Sequence, residues 1–179
     1  MKIAIIYASK YGATEKVSGS IADKLKGTNE VELFSLKKNP QPDIGVFDTV
    51  IIGTSIYAGQ ASKKVKNFCK ANESLLLQKR IGLFVCGMHP DEVEREKELK
   101  NAFPEVLLKK SSATKFLGGA YLFEQMNFFE RMIIKKIAKT TENVEQIDWE
   151  RVEEFVKEID SLLFEIPCFA TESRSFAAV

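Results

Sequence analysis

Little in this chain could build a metal centre. One histidine and three cysteines occur among 179 residues, and Cys69, Cys86 and Cys168 are widely spaced, odd in number and never in Cys-x-x-Cys, so a structural zinc site has too few ligands. No apolar stretch approaches the roughly 18 residues of a membrane span. The net charge is only +1, with acids and bases interspersed, which leaves no electrostatic footprint for nucleic acid. The chain also lacks Gly-x-Gly-x-x-Gly and Gly-x-x-x-x-Gly-Lys-Ser/Thr, excluding the common dinucleotide and nucleoside-triphosphate loops. A phosphoacceptor site of the receiver type needs an acidic cluster after the first strand, where Ala8 and Ser9 stand instead. Strand-forming residues begin at once, so no signal peptide is expected, and the chain reads as cytoplasmic and metal-free.

What is present is an alternation. Apolar residues make up 45% and charged ones 28%, ordinary for a folded domain of this size, which buries about two thirds of its surface. Ile3, Ala4, Ile5 and Ile6 show no polar alternation, which suits a strand covered on both faces. Val17, Ile21 and Leu25 then recur every four residues as one stripe of a helix, with Gly27 placed for a left-handed C-terminal cap. Further strands are expected at Val31–Leu36, Asp48–Thr54, Ile81–Cys86 and Lys115–Ala120. Helices are expected from about Ser62 to Ala71, from Asp91 to about Ala102, and from Trp149 to Phe164. In the last, Val152, Val156, Ile159 and Leu163 turn inward, Asp148 caps, and Trp149 packs in the core. Strands alternating with helices predict a doubly wound parallel α/β sheet with helices on both faces, in a domain spanning residues 1–166. The tail 167–179 has no periodicity.

In such sheets ligands bind beyond the carboxyl ends of the strands, at the switch point of strand order. Ala8–Thr14, Thr54–Gln60 and Gly87–His89 are expected to meet there as three walls of one site. The first wall opens a helix, presenting free backbone N–H groups at a positive helix end beside the Ser9 and Thr14 hydroxyls, a site suited to phosphate.

The turn Ser-x-x-Gly-x-Thr resembles the phosphate loop of flavodoxins. The runs Ile-Ile-Tyr-Ala-Ser-Lys-Tyr-Gly-Ala-Thr, Val-Ile-Ile-Gly-Thr-Ser-Ile-Tyr-Ala-Gly at 50–59, Gly-Gly-Ala-Tyr at 118–121 and Ile-Asp-Trp-Glu at 147–150 are similar to the flavodoxin branch that contains the menaquinone-dependent protoporphyrinogen dehydrogenases. The resemblance extends to about Phe164. It implies a three-layer flavodoxin-like fold of five parallel strands in the order 2-1-3-4-5, and FMN as cofactor. By position, Ser9, Lys10, Tyr11, Gly12, Ala13 and Thr14 would cradle the phosphate. Thr54, Ser55, Ile56, Tyr57, Ala58 and Gly59 would line the isoalloxazine ring, and Cys86, Gly87 and Met88 its remaining edge. Tyr57 offers a flat face for stacking, and Gly59 tolerates the positive φ of a peptide lying close to the ring. Cys86 reads as a small core residue rather than a redox thiol, and His89 as a loop residue. No catalytic protein acid or base is assigned, because the redox chemistry belongs to the cofactor.

Short flavodoxins pass almost directly from the fifth strand to the last helix. Here a helix-period segment, Phe123–Lys139, intervenes as an extra amphipathic helix after strand 5. Met126, Phe129, Ile133 and Ile137 form its stripe, Phe128 and Met132 widen it, and Arg131, Lys135, Lys136 and Lys139 flank it. It suits an anionic membrane surface at the inner face, a bulky apolar substrate, or packing on the chain's own sheet or a second subunit in a homodimer. The relatives are more basic where Leu122, Phe123, Glu124 and Gln125 stand. Two functions follow from the resemblance: an FMN oxidoreductase acting on a flat apolar substrate such as protoporphyrinogen or a quinone, or an electron carrier docking on a redox protein partner. Carriers are usually strongly acidic, and a charge of +1 suits the first reading better.

Overall fold

The computed structural model describes residues 1–121, 132 and 144–164. Strands β1 (Lys2–Ala8), β2 (Glu30–Ser35), β3 (Thr49–Tyr57), β5 (Arg80–Cys86) and β6 (Ala113–Phe116) form a parallel sheet in the order β2-β1-β3-β5-β6, with the two-residue β4 (Gln60–Ala61) paired antiparallel to the end of β3. Counting only the parallel strands, this is the expected order 2-1-3-4-5.

The apolar run in β1 is divided between two cores because successive side chains leave a strand on opposite faces. Ala4, Ile6 and Ala8 join Val50, Ile52, Leu83 and Val85 beneath α2 (Lys63–Ala71), α3 (Glu73–Leu76), α4 (Glu92–Ala102) and α5 (Glu105–Lys110). Ile3 and Ile5 join Ile51, Phe84 and Cys86 beneath α1 (Ala13–Leu25) and α6 (Trp149–Phe164). The result is three layers.

Three local expectations change. The fifth strand begins earlier, at Ala113, and the chain leaves the sheet at Leu117. Beyond it β7 (Gly118–Tyr121) pairs antiparallel with β8 (Val144–Ile147). Gly118 makes that turn with φ 70°, and a Cβ there would lie 2.0 Å from the Gln146 carbonyl oxygen. Helix α1 ends at Lys26 in right-handed conformation, and Gly27 does not take a left-handed one. The Asn29 side-chain amide instead donates to the Leu25 carbonyl at 3.0 Å, satisfying an acceptor that a left-handed cap would have served. Trp149 is 39% exposed rather than in the core, with the Lys16 ammonium 5.6 Å from its ring centroid. The apolar duty in α6 falls to Val152, Ile159 and Phe155, the last packed edge-on against Phe84 at 5.9 Å. Asp148 does cap this helix, its carboxylate accepting from the Arg151 N–H at 3.0 Å.

The stripe Met126, Phe129, Ile133 and Ile137, the position of Leu163's side chain and the tail 167–179 lie outside the described residues. Among the described residues no helix is long and apolar enough to cross a membrane.

Candidate cofactor site

The sheet register brings the three walls side by side. Ala8 pairs with Thr54 and Ser55 with Cys86, so the segments leaving β1, β3 and β5 emerge from neighbouring strand ends. They enclose a cavity of about 300 Å³ lined by Ser9, Lys10, Tyr11, Ala13, Thr14, Ser55, Ile56, Tyr57, Ala58, Gly59, Cys86, Gly87 and Met88. That volume lies near the lower end of ligand sites (about 300–1,000 Å³). A second hollow of about 370 Å³ adjoins it, sharing Ser9, Lys10, Ser55 and Tyr57 and adding Lys37, Gln60, Ser62 and Lys64.

Two of the expected residues are not on the cavity wall. Gly12 is the N-cap of α1, with φ 86°, and shapes the turn through its backbone. Thr54 is fully buried, and its hydroxyl accepts from the Ser62 N–H at 3.2 Å. It ties the end of β3 to the start of α2, because the sheet's alternation turns Thr54 into the packed layer and Ser55 toward the opening.

In the first wall the chain turns from strand to helix without a capping side chain. The first intrahelical bond of this turn runs from the Lys16 N–H to the Gly12 carbonyl, 2.9 Å, and no side chain accepts from the first-turn amides. These amides therefore point from a positive helix end toward the cavity mouth. The Ser9 Oγ and Thr14 Oγ1 atoms are shielded from solvent and reach no hydrogen-bond partner among the described residues. Beside Thr14 lies the Cys86 thiol, which burial pushes up to about 12 and the Thr14 hydroxyl pulls slightly down. A protonated thiol is at best a weak partner for a hydroxyl, so the donor capacity of this wall is unspent. Buried hydroxyls without partners cost stability, and a dianionic phosphate would use both hydroxyls together with the amides. The residues present fit the phosphate end of FMN.

The second wall is a hairpin, which the sequence did not reveal. β3 runs on to Tyr57 and returns as β4, with Ala58 at φ 48° and Gly59 at φ 71° between the paired Tyr57 and Gln60. Two positive φ values are what a tight two-residue hairpin of the primed type demands. Glycine meets that demand freely, whereas alanine meets it at a cost of about 1–2 kcal/mol. Tyr57 stands at the mouth, its ring 5.8 Å from that of Tyr11 in an edge-on arrangement, with the Lys10 ammonium over its face.

The third wall is held from behind, since the Gly87 N–H donates to the Gly118 carbonyl at 3.0 Å and so couples this loop to β7. Gly119 and Ala120 reach the cavity through that coupling, and His89 and Pro90 of the loop after β5 and Glu98 of α4 also line it. The Gly-Gly-Ala-Tyr run contained the first two. His89 was expected as a loop residue only, and it does lie in a loop, but one that faces the cavity. Glu98 was missed. The signal for it was its spacing on α4, three after Arg95 and four before Ala102, on the stripe that also carries the partly buried Leu99. Burial raises the Glu98 carboxyl above the ordinary range, opposed by His89 and assisted by Glu94.

The chain is 23% identical over 174 residues to protoporphyrinogen IX dehydrogenase [quinone] of Escherichia coli K12, covering 90% of this chain and 96% of that protein. Among solved structures it superposes on the flavodoxin of Streptococcus pneumoniae TIGR4 with a TM-score of 0.59 at 18% identity, over 90% of this chain and 99% of the other. It superposes on the flavodoxin of Fusobacterium nucleatum bound to flavin mononucleotide with a TM-score of 0.55 at 16% identity, over 90% and 98%. A Flavodoxin domain family model matches residues 4–148, and with the parallel sheet, its strand order and the loops converging at its switch point, the chain belongs to the flavodoxin domain family.

Proposed function

We propose that this protein is an FMN-dependent oxidoreductase that acts on a flat apolar substrate of the protoporphyrinogen or quinone type. The observation that carries the cofactor assignment is the pair of shielded, unpartnered hydroxyls of Ser9 and Thr14 beside the uncapped start of α1. In this reading those groups and Lys10, Tyr11, Gly12 and Ala13 hold the phosphate. Ser55–Gly59 and Cys86–Met88 lie along the ring, and Thr54 supports them from the packed layer.

Bound FMN would supply the two-electron chemistry. The protein's share is to orient it, to exclude water from one face and to admit a substrate at the other. No aromatic residue stands at Cys86, Gly87 or Met88, so Tyr57 is the aromatic next to the ring from the second wall and the third wall leaves a face open. The near-neutral charge of the chain and its 23% identity to a quinone-linked dehydrogenase support an enzyme over a carrier steered by charge. Contact with a membrane surface, or with a second copy, through Met126, Phe129, Ile133 and Ile137 belongs to the same proposal. Flotation with anionic vesicles reads the first and sedimentation the second.

The direct test is purification without added flavin, a visible spectrum, titration with FMN, and then turnover of protoporphyrinogen with a soluble menaquinone analogue. A yellow protein that consumes quinone is the expected result. Failure to take up FMN at micromolar concentration overturns the whole reading. Flavin uptake without turnover, together with electron delivery to a protein acceptor that salt suppresses, would replace the enzyme by a carrier.

A further inference from the structure

Oxidation of a substrate bearing N–H or O–H hydrogens divides into two shares. A hydride equivalent is the cofactor's, and the accompanying proton needs a base. On the proposed reading of this site no residue has yet been given that proton. We propose that Glu98 takes it and that His89 exchanges it with solvent, the two forming a proton-exchange pair at the open end of the cavity.

Both side chains line the cavity, arriving from different elements: Glu98 from α4 and His89 from the loop after β5. Glu98 Oε2 is shielded and without a hydrogen-bond partner among the described residues. A carboxylate oxygen in that state destabilises the fold, and its placement on the inward stripe of a helix whose other faces are well solvated calls for a use. The neighbouring inward residue, Arg95, is engaged over the Phe116 ring at 5.9 Å.

The His89 ring is anchored by the backbone of a single residue. Its Nδ1 lies 3.2 Å from the Asp91 N–H and 3.4 Å from the Asp91 carbonyl. The backbone of one residue therefore satisfies Nδ1 whether it accepts as neutral imidazole or donates as imidazolium, leaving Nε2 for the cavity. Asp91 is itself fixed, because its carboxylate caps α4 by accepting from the Glu94 N–H at 3.0 Å. The cap thus couples the helix bearing Glu98 to the loop bearing His89. The charged groups around the pair are Lys10 on the cavity wall and Glu94, Arg95 and Asp91 nearby.

The step balances simply. The hydride equivalent leaves a substrate carbon and bound FMN would take it. The N–H or O–H bond breaks as its electron pair closes the new C=N or C=O bond, the Glu98 carboxylate becomes a carboxylic acid with that proton, and the proton passes through His89 to water. Reduction of a quinone uses the same route in reverse.

In the flavin-free chain, 13C NMR of the Glu98 carboxyl should show it titrating above the ordinary glutamate range, and His89→Asn should move it further up, since the imidazole that opposes the effect of burial is gone. With FMN bound, and protoporphyrinogen and menadione as substrates, Glu98→Gln should lower kcat at least about tenfold, abolish the acidic limb of the pH profile and leave KM and flavin uptake unchanged. An unchanged Glu98 titration in His89→Asn, or superimposable pH profiles, overturns the pair. Failure of the parent chain to take up FMN overturns the proposed function instead, and the two failures are read in separate measurements.

Discussion

The Lys10 ammonium stands 3.0 Å from the centroid of the Tyr57 ring and 5.0 Å from that of Tyr11. One cation thereby joins the phosphate-loop wall to the hairpin wall. Replacing it by methionine keeps the stem that packs on the rings and removes the charge. Lys10→Met is expected to raise the FMN dissociation constant about two- to fivefold, the value of an exposed cation–π contact, and to flatten its salt dependence. Flavin fluorescence quenching at low and high salt measures both. An unchanged constant would mean that Lys10 only covers the tyrosines.

Thr14→Val separates binding from folding. The variant keeps the buried volume and deletes a hydroxyl with no partner among the described residues. Stability of the flavin-free protein should therefore hold or rise slightly. FMN affinity should fall at least about tenfold, because a hydrogen bond to a charged group is worth about 1.5–3 kcal/mol. Thermal melts with and without FMN read the two effects from one sample.

Ala58 holds a left-handed conformation at φ 48°. Ala58→Gly removes about 1–2 kcal/mol of backbone strain and adds about 0.4–1 kcal/mol of unfolded-chain entropy to be lost on folding. A net gain of about 0.5–1 kcal/mol in urea unfolding is expected. A loss would show that the alanine methyl makes contacts worth more than the strain.

Cys69 and Cys86 titrate near 12 in the fold, both raised chiefly by burial. In the unfolded chain a thiol ionises near 8.5. Their folded values lie above the unfolded one, so this contribution is whole below about pH 8.5 and shrinks as the pH climbs toward 12. The unfolded state then binds fewer protons, and unfolding becomes easier by up to about 1.4 kcal/mol per pH unit for each thiol. Chemical unfolding at stepwise pH should show that decline, less steep in Cys69→Ala. Neither thiol should react with iodoacetamide at neutral pH before unfolding.

Gly118→Ala should be among the most damaging single changes. Its Cβ would lie 2.0 Å from a backbone oxygen at a φ of 70°, and the Gly118 carbonyl also anchors Gly87. A loss of about 2–4 kcal/mol is expected in urea, along with weaker FMN binding as the third wall shifts.

Much of the architecture was legible because burial leaves a periodic trace. Unbroken apolar runs at Ile3–Ile6 and Val50–Ile52 announced strands covered twice, and the stripe Val17, Ile21, Leu25 announced the helix between them. Asp91 and Asp148 were readable as helix starts from their positions alone. What misled was local chemistry with more than one outlet. Gly27 looked like a cap, but an asparagine side chain two residues later did that work. Lys115–Ala120 looked like one strand, but a close approach at Gly118 turns its second half onto β8. Trp149 looked like core, but it stands exposed at the start of α6 while Phe155 packs in the core against Phe84.

By itself, then, the order of apolar and polar residues determined the layers, the parallel strands and the three loops that face one another, since solvent exclusion acts on every residue and leaves its period in the chain. Only the tertiary structure decided how the side chains on those loops are disposed around the cavity. Thr54 turned inward, Lys10 came to rest over Tyr57, and Glu98 and His89 reached the same opening from separate elements, because contacts between residues distant along the chain depend on how packed layers meet and carry no period to read.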